Sequence, residues 1–178
     1  MHGIVFFELH RFADAQLPEG SWDRVLEAAG LKGSSYTPLE RRPDEELQRL
    51  IASASRLSGI EPQELLKQFG SFIAPGLLQM YRHLLQPQWL TLDVIEHTEA
   101  VIHAVVRVKN AGALPPVLRA MRVGPRELVL HYVSARRMCA LAMGIAEGLA
   151  LHFGEHLELE QERCMLRGDA ECLLQLRV

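Results

Sequence analysis

No apolar stretch of this 178-residue chain reaches the length of a membrane-spanning helix without a charge in it. No secretory signal is readable either: the run Gly3 to Phe7 is too short, and Glu8, His10 and Arg11 follow at once. Positive charge is not in surplus. Lys and Arg number 19 against 22 Asp and Glu, and the net charge of -3 gives no basis for a nucleic-acid partner. Cysteine is scarce, and its odd count of 3 argues for thiols or a metal site rather than a disulfide framework. Repeats and low-complexity segments are absent. These absences predict a cytoplasmic globular protein with no membrane partner. At 48% hydrophobic and 23% charged residues, the chain has the composition and length for one domain, or two small subdomains, around a real core.

Strand patterns are also missing from the first half. Residues 3–16 read as a helix with Ile4, Phe7 and Phe12 inward, broken at Leu17-Pro18-Glu19-Gly20. Ser21 caps a second helix, Trp22 to Ala29, closed by Gly30, and Leu31 to Arg42 reads as a loop. Pro43, with Asp44, Glu45 and Glu46 behind it, opens a third helix that ends at Gly59. Pro62 opens a fourth, to Phe69. Gly70-Ser71 separates it from a fifth, which Pro75-Gly76 interrupts. A further helix is expected over 91–109. Then the period changes. Residues 117–123 and 126–133 alternate as an antiparallel hairpin about Gly124-Pro125. A long helix is expected from Ser134 to Phe153, with Met138, Leu141, Ile145 and Leu149 along one stripe and Gly154 as its stop. Leu157 and Leu159 mark a third strand and 172–178 a fourth, with a turn at Arg167-Gly168-Asp169. Helices first and an antiparallel sheet afterwards make an α+β pattern, with the boundary between the parts near residue 60.

Three features between Thr91 and Cys139 carry chemistry. His103 sits among Val101, Ile102, Ala104 and Val105. A neutral imidazole there offers one nitrogen to a metal while a hydrogen bond holds the other, or it is a core histidine bonded to a carbonyl. Pro115-Pro116 fixes two φ angles, as a stiff lead into an edge strand or as a rigid apolar wedge against a planar ligand. Tyr132 and Ser134 share a strand face, and Arg136 follows in what reads as the first helical turn. Two hydroxyls and a guanidinium at a helix start suit carboxylates or phosphates, although Ser134 is equally a plain N-cap and Arg136 a surface charge.

Taken together, His103, Pro115-Pro116 and Tyr132-x-Ser134-x-Arg136 closely resemble the H-NOX family of heme-nitric oxide/oxygen binding domains. The opening Met1 to Phe6 and the ending Cys164 to Cys172 also resemble that family, so the likeness spans essentially the whole chain. It implies a heme b (iron protoporphyrin IX) ligated by His103, propionates held by Tyr132, Ser134 and Arg136, and a porphyrin distorted by Pro116. It implies a helical distal subdomain, 1–60, and a proximal subdomain, 61–178, with a four-stranded antiparallel sheet, the heme lying between them. Its mechanism is a switch in which nitric oxide binds ferrous heme, the His103–iron bond breaks and the subdomains shift. Oxygen-binding relatives carry a distal tyrosine at the position of Leu141 here. The helix after the Tyr-x-Ser-x-Arg run has no tyrosine or tryptophan, which implies binding of NO and CO with discrimination against O2. Phe6, Phe7, Leu9 and Phe72 are candidate distal-pocket residues, or ordinary core. No nucleophile–base arrangement stands out, and Glu45/Glu46 and Glu96/Glu99 read as solvated helix charges, so the chain is expected not to be an enzyme. Its expected output is a separate histidine kinase or a cyclic-di-GMP enzyme (diguanylate cyclase or phosphodiesterase).

Some relatives hold zinc at the positions of Cys139, Cys164 and Cys172, with a histidine where this chain has Gln161. Amide for imidazole is a poor exchange, and the three thiols read equally well as packed reduced cysteines. The alternative to a gas sensor is a heme-free binding module, or a thiol or zinc redox sensor, on the same fold.

Overall fold

The computed structural model describes residues 3–18, 20–38, 40–110 and 112–178. Met1, His2, Glu19, Leu39 and Ala111 lie outside it. So does the part of the expected family-like opening that falls on the first two residues. Two compact units are present, one ending at Phe69 and one running Gly70–Val178.

The first unit holds α1 (Gly3–Gln16), α2 (Ser21–Ala28), α3 (Asp44–Ser58) and the start of α4 (Pro62–Tyr81). α3 begins with Asp44, Glu45 and Glu46 and ends with Arg56 in its last turn, charges that match the helix dipole at both ends. α1 buries Phe6, Leu9, Phe12 and Ala13. Ile4 and Phe7, expected inward, are only half-buried. α2 is preceded by Gly20 with no side-chain cap, so Ser21 is its first residue and not its N-cap. Tyr36 pins the loop before α3. Its ring stacks on Phe6 at 5.0 Å, meets Trp22 edge-on at 6.1 Å and carries the Arg42 guanidinium at 4.9 Å. The two units part between Phe69 and Gly70, later than the boundary near 60 expected from sequence. The opening turns of α4 put Leu65 and Phe69 among the buried residues, and Phe69 packs on Phe12 at 5.6 Å.

Gly70-Ser71 and Pro75 do not break α4, which is continuous over 20 residues. The reason lies in α7 (Cys139–Phe153). A Cβ on Gly70 would stand 2.4 Å from the Leu141 carbonyl oxygen, and one on Gly148 would stand 2.5 Å from the Ser71 carbonyl oxygen. These glycines allow two helices to touch along their backbones. Ser71 is also the residue whose carbonyl Pro75 leaves without its helical N–H.

The second unit continues through α5 (Thr91–His97), a π-helical segment (Thr98–His103), α6 (Ala104–Lys109), β1 (Val117–Gly124), β2 (Glu127–Val133), α7, β3 (Glu158–Arg163) and β4 (Cys172–Arg177). The sheet is antiparallel in the order β1-β2-β4-β3, with Leu118 opposite Tyr132 and Tyr132 opposite Cys172. One face of the strands buries Leu128, Leu130, Leu174 and Leu176 against Leu92, Val94 and Ile95 of α5 and Ala146 and Leu149 of α7. Each such leucine contributes roughly 1.5–3 kcal/mol by leaving water. The fold is thus α+β with a four-stranded antiparallel sheet, as the alternation predicts. α7, however, starts at Cys139 rather than Ser134. Residues 134–137 form a turn closed by the Arg137 N–H on the Ser134 carbonyl, with Arg137 at φ 51. α7 is also engaged on more than one stripe, because its glycines and alanines admit neighbours on several sides. Among the described residues no helix is long and apolar enough to cross a membrane.

Candidate functional site

The helix expected over 91–109 is not uniform. It widens to a π-turn over Thr98–His103, and His103 closes that turn. Thr98 Oγ1 donates to the Val94 carbonyl at 2.7 Å, and His97 Nδ1 bonds the Asp93 carbonyl at 2.8 Å. Side chains thereby share the acceptors an α-helix would use, which loosens its register at this point. The segment is fixed to the sheet by Arg122 of β1, which binds Asp93 and, at 3.0 Å, Glu96.

The His103 side chain is 14% exposed. Its Nδ1 lies 3.0 Å from Glu99 Oε2, and the Pro116 carbonyl also accepts from the ring. Burial lowers the imidazole's affinity for a proton, and the Glu99 bond only partly offsets this, so the ring favours the neutral form. With Nδ1 held by Glu99, Nε2 is the nitrogen that a metal would take. Glu99, read from sequence as a solvated charge, binds three groups. Besides His103 it takes Arg107 at 2.6 Å and the Leu118 N–H of β1 at 3.1 Å. Burial pushes its carboxyl up, and those three donors more than compensate, holding it below the usual carboxylate range. The four-residue spacing to His103 was the available signal for this pairing. Glu96 and Glu46 are likewise engaged: Glu46 is buried and accepts from Tyr36 at 3.3 Å.

Tyr132 and Ser134 are both buried, as their shared strand face predicts. The phenol bonds the Ser134 hydroxyl and accepts from the Met138 N–H, and burial pushes its pKa up to about 12. Ser134 Oγ accepts from the Arg136 N–H at 3.3 Å. Arg136 is not in a helical turn. Its guanidinium reaches back to the Leu114 carbonyl, next to Pro115-Pro116. So Tyr132, Ser134 and Arg136 form one cluster tied to the proline loop, and His103 with Glu99 is tied to that loop and to Leu118, the cross-strand partner of Tyr132.

Cys139, Cys164 and Cys172 converge beside Tyr132 in a small buried core, their sulfurs all within 4.8 Å of one another. Cys139 and Cys164 Sγ are 3.8 Å apart. Tetrahedral zinc with bonds near 2.3 Å sets sulfurs about 3.8 Å apart. Burial drives Cys172 up to about 12, whereas Cys164 is lowered: burial opposes, but N–H bonds from Leu166 and Arg167 and the neighbouring thiols prevail. Gln161 pairs with Leu174 and so shares the strand face of Cys172, and its Nε2 is buried with no partner. The candidate distal residues Phe6 and Leu9 are buried and Phe7 and Phe72 half-buried; Leu141 is half-buried on α7.

The haem-NO-binding (HNOB) family pattern matches residues 2–161. No curated protein matches. Among solved structures, an H-NOX protein from S. oneidensis in the Fe(II)NO ligation state superimposes with a TM-score of 0.91 at 24% identity, covering 99% of this chain and 98% of that one. A variant of the T. tengcongensis H-NOX gives 0.86 at 23%, covering 99% and 97%. An unliganded Fe(II) H-NOX variant from K. algicida gives 0.89 at 21%, covering 99% and 96%.

Proposed function

Because the chain belongs to the haem-NO-binding family of heme-based gas sensors, we propose that it is a nitric oxide sensor that holds heme b through His103 and regulates a separate signalling enzyme. The observation that carries this reading is the half-buried His103, neutral by preference, with Nδ1 tied to Glu99. The residues fit an iron–porphyrin. Tyr132, Ser134 and Arg136 supply hydroxyl and guanidinium groups suited to two propionates, and the rigid Pro116 stands beside the imidazole's own partner set.

Heme, when bound, would supply an iron able to bind an imidazole and a diatomic gas. His103 would be the residue that holds it, and the π-turn that ends in His103, tied to β1 by the Leu118 N–H on Glu99, would carry a change at that residue to the sheet. α7 carries no tyrosine or tryptophan, and Leu141 stands where oxygen-binding relatives have a tyrosine. Lack of a donor there favours NO and CO over O2. The receiving enzyme is a histidine kinase or a diguanylate cyclase or phosphodiesterase, and the place of action is the cytoplasm, where the nucleotide substrates of such enzymes are found.

The test is an anaerobic absorption spectrum of the heme-loaded, reduced protein with and without NO, beside an air-exposed sample. A Soret shift with NO, no stable oxygen adduct in air, and loss of the ferrous spectrum in His103→Gly are expected. An unchanged ferrous spectrum in His103→Gly would overturn the assignment.

A second reading rests on the three converging thiols. We read Cys139, Cys164 and Cys172 as a zinc site, with Gln161, whose buried amide nitrogen has no partner, as a weak fourth ligand through its side-chain oxygen once the amide is turned over. Metal analysis of protein purified without chelator tests it; thiol titration that finds three free cysteines and no zinc would leave only packed thiols.

A further inference from the structure

Histidine ligation leaves open which ring nitrogen is offered and how strongly it donates. Both are set by whatever holds the other nitrogen. Two acceptors reach this ring: the neutral carbonyl of Pro116, and the charged carboxylate of Glu99, which holds Nδ1.

The carboxylate is held firmly in place. Its Oε2 receives the ring at 3.0 Å and the Leu118 N–H at 3.1 Å, and its Oε1 receives Arg107 at 2.6 Å. Three donors from the π-turn, α6 and β1 fix its position, so little freedom is left to the ring it holds. The same donors share its charge. A carboxylate bound only to imidazole pulls strongly on the Nδ1 proton and makes the opposite nitrogen a strong donor. One already engaged by a guanidinium pulls less.

We propose that Glu99 is the positioning residue of His103, fixing the Nδ1–H tautomer so that Nε2 is the ligating atom, and that Arg107 moderates how strongly Nε2 donates. The inference rests on the heme reading for its consequence but not for its geometry. It makes two changes in the same carboxylate network act in opposite directions. Glu99→Gln keeps an acceptor oxygen and removes the charge, so the iron–histidine bond weakens. Arg107→Met leaves Glu99 with less competition, so that bond strengthens. A residue that merely supports the fold would shift neither, or both the same way.

Two measurements decide it. In the heme-loaded ferrous protein, resonance Raman reads the iron–histidine stretch, expected to fall in Glu99→Gln and rise in Arg107→Met, with heme retention about 10- to 100-fold weaker in Glu99→Leu. No displacement in either, or displacement in one direction, overturns the proposal. In the heme-free protein, a long-range nitrogen–proton NMR spectrum reads the tautomer of His103. Wild type and Glu99→Gln are expected as Nδ1–H and Glu99→Leu as a mixture; a pure Nδ1–H ring in Glu99→Leu overturns it and assigns the role to Pro116. If the wild-type protein shows no histidine-ligated heme, the sensor reading fails, while the heme-free spectrum still decides whether Glu99 sets the ring. Circular dichroism on Glu99→Gln, the near-isosteric change, separates either outcome from misfolding.

Discussion

Arg136 donates to the main-chain carbonyl of Leu114, so the cation of the Tyr-x-Ser-x-Arg turn also holds the loop that leads into Pro115-Pro116. Leu114 and Arg136 are 22 residues apart in sequence and directly bonded in the fold. A propionate competing for Arg136 would draw on the same guanidinium, which couples occupancy of the cluster to the freedom of the proline loop.

Arg136→Ala is therefore expected to do two things at once. Hydrogen–deuterium exchange at Leu114 and Val117 should quicken in the heme-free protein, and heme affinity should fall by an amount corresponding to about 1.5–3 kcal/mol, the range for a charged hydrogen bond. Unchanged exchange with weakened heme binding would show that the Leu114 contact is incidental.

Pro116→Ala tests the wedge. Relief of pressure on the porphyrin should weaken its out-of-plane resonance Raman bands and alter gas affinity. If both stay as in the parent protein, Pro116 serves only to stiffen the entry to β1.

Gly148→Ala should destabilise the protein by about 1–3 kcal/mol, the usual cost of overpacking. The new methyl would meet the Ser71 carbonyl oxygen at 2.5 Å and the Ala74 methyl at 2.7 Å. Urea denaturation followed by circular dichroism measures this; a midpoint equal to wild type would mean that α4 and α7 separate at little cost.

Tyr36 gives a pH prediction. Burial first, then the nearby Glu46 charge and hydrogen bond, push its pKa from 10.0 to about 12. Below pH ~10 the phenol is neutral in folded and unfolded chains alike, and no stability is lost. Above it the unfolded chain ionises and the folded one resists, so stability falls through the window from 10 to about 12, by at most about 1.4 kcal/mol per pH unit. Tyr36→Phe should flatten this alkaline loss in denaturation curves taken at rising pH. An equal loss in the variant would place the cause elsewhere.

On the zinc reading, Gln161→His would put a good ligand where the chain has a poor one. Zinc retained against a chelator is expected to rise sharply in that variant and to be lost in Cys164→Ser. Equal retention in Gln161→His and wild type would place the fourth ligand elsewhere.

The sequence by itself determined the kind of fold and put forward the side chains of the candidate site. Alternation over 117–133 specified a hairpin because a strand's two faces repeat every second residue, and Cys172, Leu174 and Leu176 are buried for the same reason. His103, Pro116, Tyr132, Ser134 and Arg136 were readable because a motif fixes residue type and spacing. Only the tertiary structure decided how they are held. Gly70 and Pro75 read as breaks because local propensity penalises them, yet α4 runs on, since close contact with α7 rewards the missing side chain. The start of α7 moved from Ser134 to Cys139 because the intervening turn is shaped by bonds to Tyr132 and Leu114, which no local pattern encodes. Glu99 looked like one more surface charge. Its spacing to His103 was legible, but the fixing of its carboxylate was not: β1, folded back from 19 residues away, brought the Leu118 N–H to it.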